Sequence, residues 1–214
     1  MDSLSIGIPH PWTDRSIAPE QHDGFEATVN ALREQGAQIE DFDEPVIDQN
    51  DLPLGSYAEV AEVHREWFSD DPSRYGATIR DRLAGVFSLD EPTIAAAGIW
   101  RASLEAAFDR AFSRFDLLLT PSTAARGKTI GIDRIDLGSG PEPYRPLLSW
   151  FTPLVNQAGL PALAVPIETP DVTGLPPSIQ LIGPRWSEAT LLGVGLALEA
   201  VGLVAHRTPP TFAR

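Results

Sequence analysis

The chain opens on a short apolar run, "SIGIP" at 5 to 9, which is closed by proline and reads as a strand. In "DGFEATVNALREQG" the period changes. Phe25, Val29 and Leu32 fall at i, i+4 and i+7, Asp23 with Glu26 makes a capping-box-like start, and Gly36 stands at the C′ position of the helix so predicted. "AQIEDFD" follows as a second strand, so the first forty or so residues read as a βαβ unit with parallel strands.

From 53 to 115 the spacing is helical. Tyr57, Ala61, His64 and Phe68 share one face of a first helix, and Ile79 and Leu83 mark a second. Ile94, Ala97, Arg101, Leu104, Phe108, Phe112 and Phe115 trace a longer third, with Pro92 in its first turn. "FDLLLTP" at 115 to 121 is a continuous apolar run with a proline stop, the pattern of a strand buried on both faces. Residues 122 to 146 are rich in Gly, Pro and Ser and read as a long surface excursion.

"ALAVPI" and "SIQLIG" predict two further buried strands, joined by the turn-rich "ETPDVTGLPP". A final helix runs from Ser187 as N-cap to Gly202, apolar nearly all round and therefore expected to be buried on more than one side. The tail "HRTPPTFAR" reads as loosely ordered. The expected architecture is a single α/β domain over 1–214: roughly five strands of a mixed, mostly parallel sheet flanked by helices, with a helical cap-like region over 53–115.

Composition narrows the function. At 214 residues and 43% hydrophobic content the chain can bury a core. A net charge of −14 opposes binding to phosphate backbones, which sets nucleic acid aside as a partner. No apolar run reaches membrane-spanning length, and "MDSLSIGIPHPW" lacks the basic and apolar regions of a leader, so a cytoplasmic protein without a membrane role is expected. Cysteine is absent, and His10, His22, His64 and His206 are too scattered for a metal site; neither metal nor cofactor is expected.

"FDLLLTPST", "FTPLVNQAGLPALAVPI" and "GLPPSIQLIGPRWSEATLLGVGLALE", in that order, resemble the C-terminal half of the amidase signature family, which includes the amidase component of glutamyl-tRNA amidotransferase. Upstream, "SIGIP", "YAEVAEVHREWF" and "RYGATIRDRLAGV" resemble the strand and helical region that precede it, so the likeness covers nearly the whole chain. The resemblance implies carbon–nitrogen hydrolysis by a Ser–cis-Ser–Lys triad, in which a lysine base activates the nucleophile through a bridging serine. Those residues lie N-terminal to the part represented here, so this half is expected to carry no catalytic residue. The alternative is a non-catalytic binding or scaffold protein derived from the same fold.

A local substitute is not supported by the residues. Lys128, the single lysine, sits in the Gly-rich excursion, where solvation keeps it charged and a poor base for Ser122. His64 lies on a core-facing helical stripe, the setting of a packed histidine.

By resemblance Thr120, Ser122 and Thr123 line the rim of the substrate pocket, where strand ends place ligands; the plain alternative is a strand-to-loop exit. Asn156 is expected to tie a turn through its side chain, Gly159 to allow close backbone approach, and Gln180 to be a satisfied core amide. In the amidotransferase, the arginine of the corresponding helix and an aspartate before the Val-Asn motif clamp the amino-acid end of glutamine. Arg82 matches the first, but Ser149 stands at the second, which argues against glutamine and against a transamidosome role. Arg82 is left to hold another carboxylate or to pair with Asp81 or Glu91 on the surface. Trp150 and Phe151 are either an apolar pocket wall or plain core. The partners this implies are a small-molecule amide and, because an isolated half exposes a sheet edge and a helix face, a second copy (a homo-oligomer) or a complementary N-terminal amidase chain.

Overall fold

The computed structural model describes residues 4–48, 53–125, 127–168 and 175–205. The expected tail, and most of the turn-rich link between the last two strands, lie outside the described residues. The βαβ unit is β1 (Ser5–His10), α1 (Pro19–Glu34) and β2 (Gln38–Asp43), with β1 and β2 parallel in register from Ser5 opposite Gln38 to His10 opposite Asp43. The helix begins four residues before the capping box that the sequence suggests. Pro19 opens it, Ala18 is held by its N–H to the Ala124 carbonyl at 2.7 Å, and Asp23 falls inside the helix with its side chain in solvent. A tertiary hydrogen bond thus sets the start where local chemistry pointed elsewhere.

β3 (Leu117–Pro121) lies beside β1, and β6 (Ala162–Pro166) and β7 (Ser178–Ile182) complete a five-stranded sheet of order β2-β1-β3-β7-β6. β1 pairs in parallel with β2 and β3, while β7 is antiparallel to both β3 and β6. Four strands therefore point one way and β7 the other, and the sheet is mixed, with two parallel and two antiparallel pairings.

Every residue of β3 is buried, and its period of two divides the interior. Leu117 and Leu119 join Ile6, Ile8, Ile179 and Leu181 under α1 and α7 (Glu188–Ala200). Leu118 joins Phe42, Phe108, Phe151 and Ile182 on the other face, under α4 (Glu91–Phe112). Asp90 caps α4 by accepting from the Thr93 N–H at 3.0 Å. The stripe predicted for this helix is buried at Ala97, Leu104 and Phe108, while Ile94 is exposed.

α2 (Ala58–Asp70) and α3 (Ala77–Phe87) pack chiefly on each other and meet α4 through the 3₁₀ turn Leu54–Tyr57. The excursion after β3 holds more structure than its composition suggests: a hairpin of β4 (Arg134–Asp136) and β5 (Pro141–Pro143), then α5 (Tyr144–Leu148). "PLVNQA" is likewise a helix, α6 (Pro153–Ala158). Leu147, Phe151, Leu154, Val155 and Ala158 bury one helical stripe across both.

α7 departs from expectation. Leu191, Val194 and Leu198 face the sheet, but Leu192 and Leu196 are 58% and 66% exposed, because the sheet lies on one side of it alone. Ser187 stands at its N-cap without a side-chain capping bond. Among the described residues no helix is long and apolar enough to cross a membrane, and no cluster of metal-ligating side chains occurs.

Two glycines carry distinct constraints. Gly7 leaves room for the Phe42–Phe115 ring pair, whose atoms would stand 2.8 and 2.6 Å from an added Cβ. Gly159 ends α6 at φ +63°, where an added Cβ would meet nothing within 4 Å, so left-handed backbone and not close approach is its reason. Gly7→Ala is expected to cost about 1–3 kcal/mol by overpacking and to change the near-ultraviolet circular dichroism. Gly159→Ala is expected to cost about 1–2 kcal/mol in urea unfolding and to leave that spectrum unchanged.

His10, at the end of β1, lies between Asp14 at Nδ1 and Asp41 at Nε2, the latter 3.2 Å away. Partial burial works to lower its pKa, but the hydrogen bonds and charges of the two carboxylates outweigh it and raise the imidazolium above its usual range. The stabilisation is therefore complete below the unfolded histidine pKa of about 6.5 and disappears as pH rises through the raised folded value. His10→Asn should lower the urea midpoint at pH 5.5 and have little effect at pH 9; an equal loss at both would exclude the charged form.

Candidate functional site

A cleft of about 970 Å³ opens between the α2–α3 pair and the α5–α6 segment. Tyr57, Val60 and His64 line it from the first helix side, and Ile79, Leu83 and Val86 from α3. Pro146 and Pro153 add apolar surface opposite. Into these walls project Arg82, Arg145, Ser149, Asn156 and Gln157, together with Asp81. Of the residues singled out from sequence, the structure brings Arg82, Ser149 and Asn156 to this one cleft. Ser149 thus faces the same space as Arg82 although 67 residues separate them.

Arg82 is exposed to the cleft and, among the described residues, forms no ion pair with Asp81 or Glu91. Arg101 shows the contrasting case. Its Nη1 donates to Glu59 Oε1 at 2.5 Å, and its Nε and Nη2 donate to Gln157 Oε1 at 3.1 and 2.7 Å. One guanidinium of α4 thereby ties α2 to α6 across the cleft's edge. The hydrogen bond and charge of Arg101 hold the Glu59 carboxyl below the usual carboxylate range and raise Arg101 in return. His64 is positioned by its Nδ1, 3.0 Å from the Tyr75 hydroxyl.

The remaining candidates lie elsewhere. Thr120 is fully buried, its hydroxyl donating to the Pro121 carbonyl at 3.0 Å and accepting from Gln180 Nε2 at 3.2 Å. Gln180 also donates to the Phe151 carbonyl at 2.8 Å, which makes it the satisfied core amide its sequence context suggests. Ser122 Oγ donates to the Ile179 carbonyl at 2.6 Å. Thr123 Oγ1 donates to the Ala125 carbonyl at 2.7 Å and accepts from Gln21 Nε2 at 2.9 Å. These three hydroxyls fasten the end of β3, and the cleft lining does not include them.

Phe151 is fully buried, its ring 5.8 Å from that of Trp12. Trp150 donates Nε1 to the Trp12 carbonyl at 3.3 Å and receives the same bond in return, with the Arg15 guanidinium 4.2 Å over its ring. Both aromatics therefore stand behind the cleft wall, fixing α5 and α6 to the loop after β1. Asn156 does not tie the turn with its amide: the side chain is exposed, and its carbonyl accepts from the Gly159 N–H at 3.2 Å.

Lys128 pairs with Asp133 in solvent while Ser122 is bonded within the core, so the two do not form a dyad. Sequence reasoning missed Arg145 in the cleft lining and Arg101 as the brace between Glu59 and Gln157. The buried stripe of Leu147, Phe151, Leu154, Val155 and Ala158 is the signal that would have placed Arg145 on a helix beside the cleft.

The Amidase family model matches residues 1–192. A fatty acid amide hydrolase of Medicago truncatula is 28% identical over 214 residues, covering 98% of this chain and 35% of that protein. The A subunit of a glutamyl-tRNA(Gln) amidotransferase from Chloroflexus aggregans is 30% identical over 237 residues, covering 99% and 47%. A crystal structure of an amidase superposes with a TM-score of 0.82 at 22% identity, over 94% of this chain and 46% of that one. The chain spans about a third to a half of the length of these relatives. With a family model matched over most of its length, this chain belongs to the amidase family.

Proposed function

We propose that this chain is the C-terminal portion of a cytoplasmic amidase that hydrolyses carbon–nitrogen bonds, shaping the pocket for a small amide while a signature segment supplies the Ser–cis-Ser–Lys triad. The observation that carries the reading is the cleft itself: apolar walls, an Arg82 without an ion-pair partner among the described residues, and Ser149 and Asn156 converging on it. Apolar surface would bury the body of the amide, and a few polar groups would orient it, as small-molecule sites generally do. Arg82 would hold a polar or anionic end remote from the scissile bond, where a charge-assisted hydrogen bond is strongest against an apolar background. The sole lysine, ion-paired on the surface, agrees with a triad supplied from elsewhere.

Fused behind the signature segment of the Chloroflexus aggregans relative, the chain is expected to hydrolyse small amides, and without it to show no turnover. A fusion that unfolds cooperatively yet has no activity would favour the non-catalytic scaffold instead. Activity of the 214 residues alone would place the triad here and overturn the reading. In the active fusion, Arg82→Gln should raise KM about tenfold or more with little change in kcat, the pattern of a group that binds ground and transition states alike.

A further inference from the structure

The charge of the cleft runs against that of the protein around it. The chain bears a net charge of −14, yet among the described residues the cleft is lined by two guanidiniums, Arg82 and Arg145, against the single carboxylate of Asp81. Arg145 is set there by its segment. Tyr144 and Leu147, which flank it in α5, are buried; the Tyr144 N–H donates to the Asp133 carbonyl at 2.9 Å, and the Leu147 carbonyl accepts from the Ala124 N–H at 3.0 Å. One turn on, Ser149 Oγ donates to the Arg145 carbonyl at 3.3 Å. The backbone beneath this arginine is therefore fixed, while its side chain is exposed at the cleft.

The acids nearest to Arg145 along the chain are engaged elsewhere. Glu142 pairs with Arg15, and Asp133 pairs with Lys128. Arg101, Arg110 and Arg114 each meet a glutamate, as arginines in so acidic a protein readily do. Among the described residues Arg145 forms no ion pair, and neither does Arg82, which projects from α3 on the opposite wall. Like charges in one apolar-walled cleft repel each other, and an anion between them removes that cost. A carboxylate offers about four lone-pair positions, enough to accept from two guanidiniums at once.

Resting on the function proposed above, we propose that Arg145 is a specificity-determining residue and that the substrates are amidic acids, amides whose far end is a carboxylate. Arg82 alone would accept any polar end. The second guanidinium narrows the choice, because a neutral end leaves two positive charges unbalanced and an ammonium end adds a third, with Asp81 alone to meet it.

The monoamides and the diamides of succinic, glutaric and adipic acids differ only in that far end. The active fusion should prefer the monoamide, at its best chain length, by about tenfold or more in kcat/KM. Arg145→Gln should bring this ratio close to one, chiefly through KM, and Arg145→Lys should retain part of it. Binding to the chain itself gives a readout apart from turnover. Glutarate should shift the guanidinium Nε–H resonances of both Arg82 and Arg145, and glutaramide should shift neither. Arg145→Gln should weaken the glutarate response at Arg82 about tenfold, with the urea midpoint unaltered. A fusion without the preference, a preference that survives Arg145→Gln, or glutarate that shifts neither resonance overturns the proposal, and the first two leave the proposed function standing. An inactive fusion removes the proposed function instead, and the titration then decides the anion selectivity of the cleft alone.

Discussion

The fold depends on the burial of β3 from both faces. "LLLTP" offers no polar face to water, so helices must cover the sheet on both sides, and each strand beside β3 inherits the same requirement. Alternation then assigns Leu117 and Leu119 to the layer of α1 and α7, and Leu118 to that of α4. The hydroxyls at its end and just beyond it are all taken up by hydrogen bonds. Thr120 meets Gln180, Ser122 meets the Ile179 carbonyl, and Thr123 meets Gln21. A buried polar group left without a partner costs about 1–3 kcal/mol, which is reason enough for each of these bonds.

The cleft is assembled at a distance from that centre by a small number of cross-braces. Arg101 ties α2 to α6, and the reciprocal Trp12–Trp150 bonds tie the α5–α6 segment to the loop after β1. The braces leave Arg82 out. A guanidinium with no ion pair among the described residues, on an apolar wall, is open to the cleft in a way that Arg101, already bonded to two helices, is not. This difference between two arginines of neighbouring helices depends on what lies across the cleft, which local sequence does not encode.

The strands and the main helices could be read from hydrophobic period because burial on one face or two leaves a repeat of two or 3.6 along the chain. The resemblance to amidases follows from the same strands and their proline and glycine boundaries. The excursion from 122 to 146 is opaque for the converse reason. Its hairpin is three residues a side, its turn is held by Asp136 Oδ1 accepting from the Gly138 and Gly140 N–H groups, and too few apolar residues repeat to show a period. Asn156 misleads because Asn-Gln-Ala-Gly reads as a turn, whereas Pro153 and the buried Leu154, Val155 and Ala158 make it the end of a helix.

The α7 sequence marks an apolar surface all round, and that property belongs to the residues themselves. Which half of the surface faces the sheet, and which half is left exposed, was decided by a single layer of strands that touches the helix on one side. In the same way the sequence determined the order of elements, the lack of a second lysine and the family likeness, since each is a matter of residue type and spacing along the chain. The tertiary structure alone decided that Arg82, Ser149 and Asn156 meet in one cleft while Thr120, Ser122 and Phe151 turn inward. Proximity across dozens of residues arises from packing, and no local period records it.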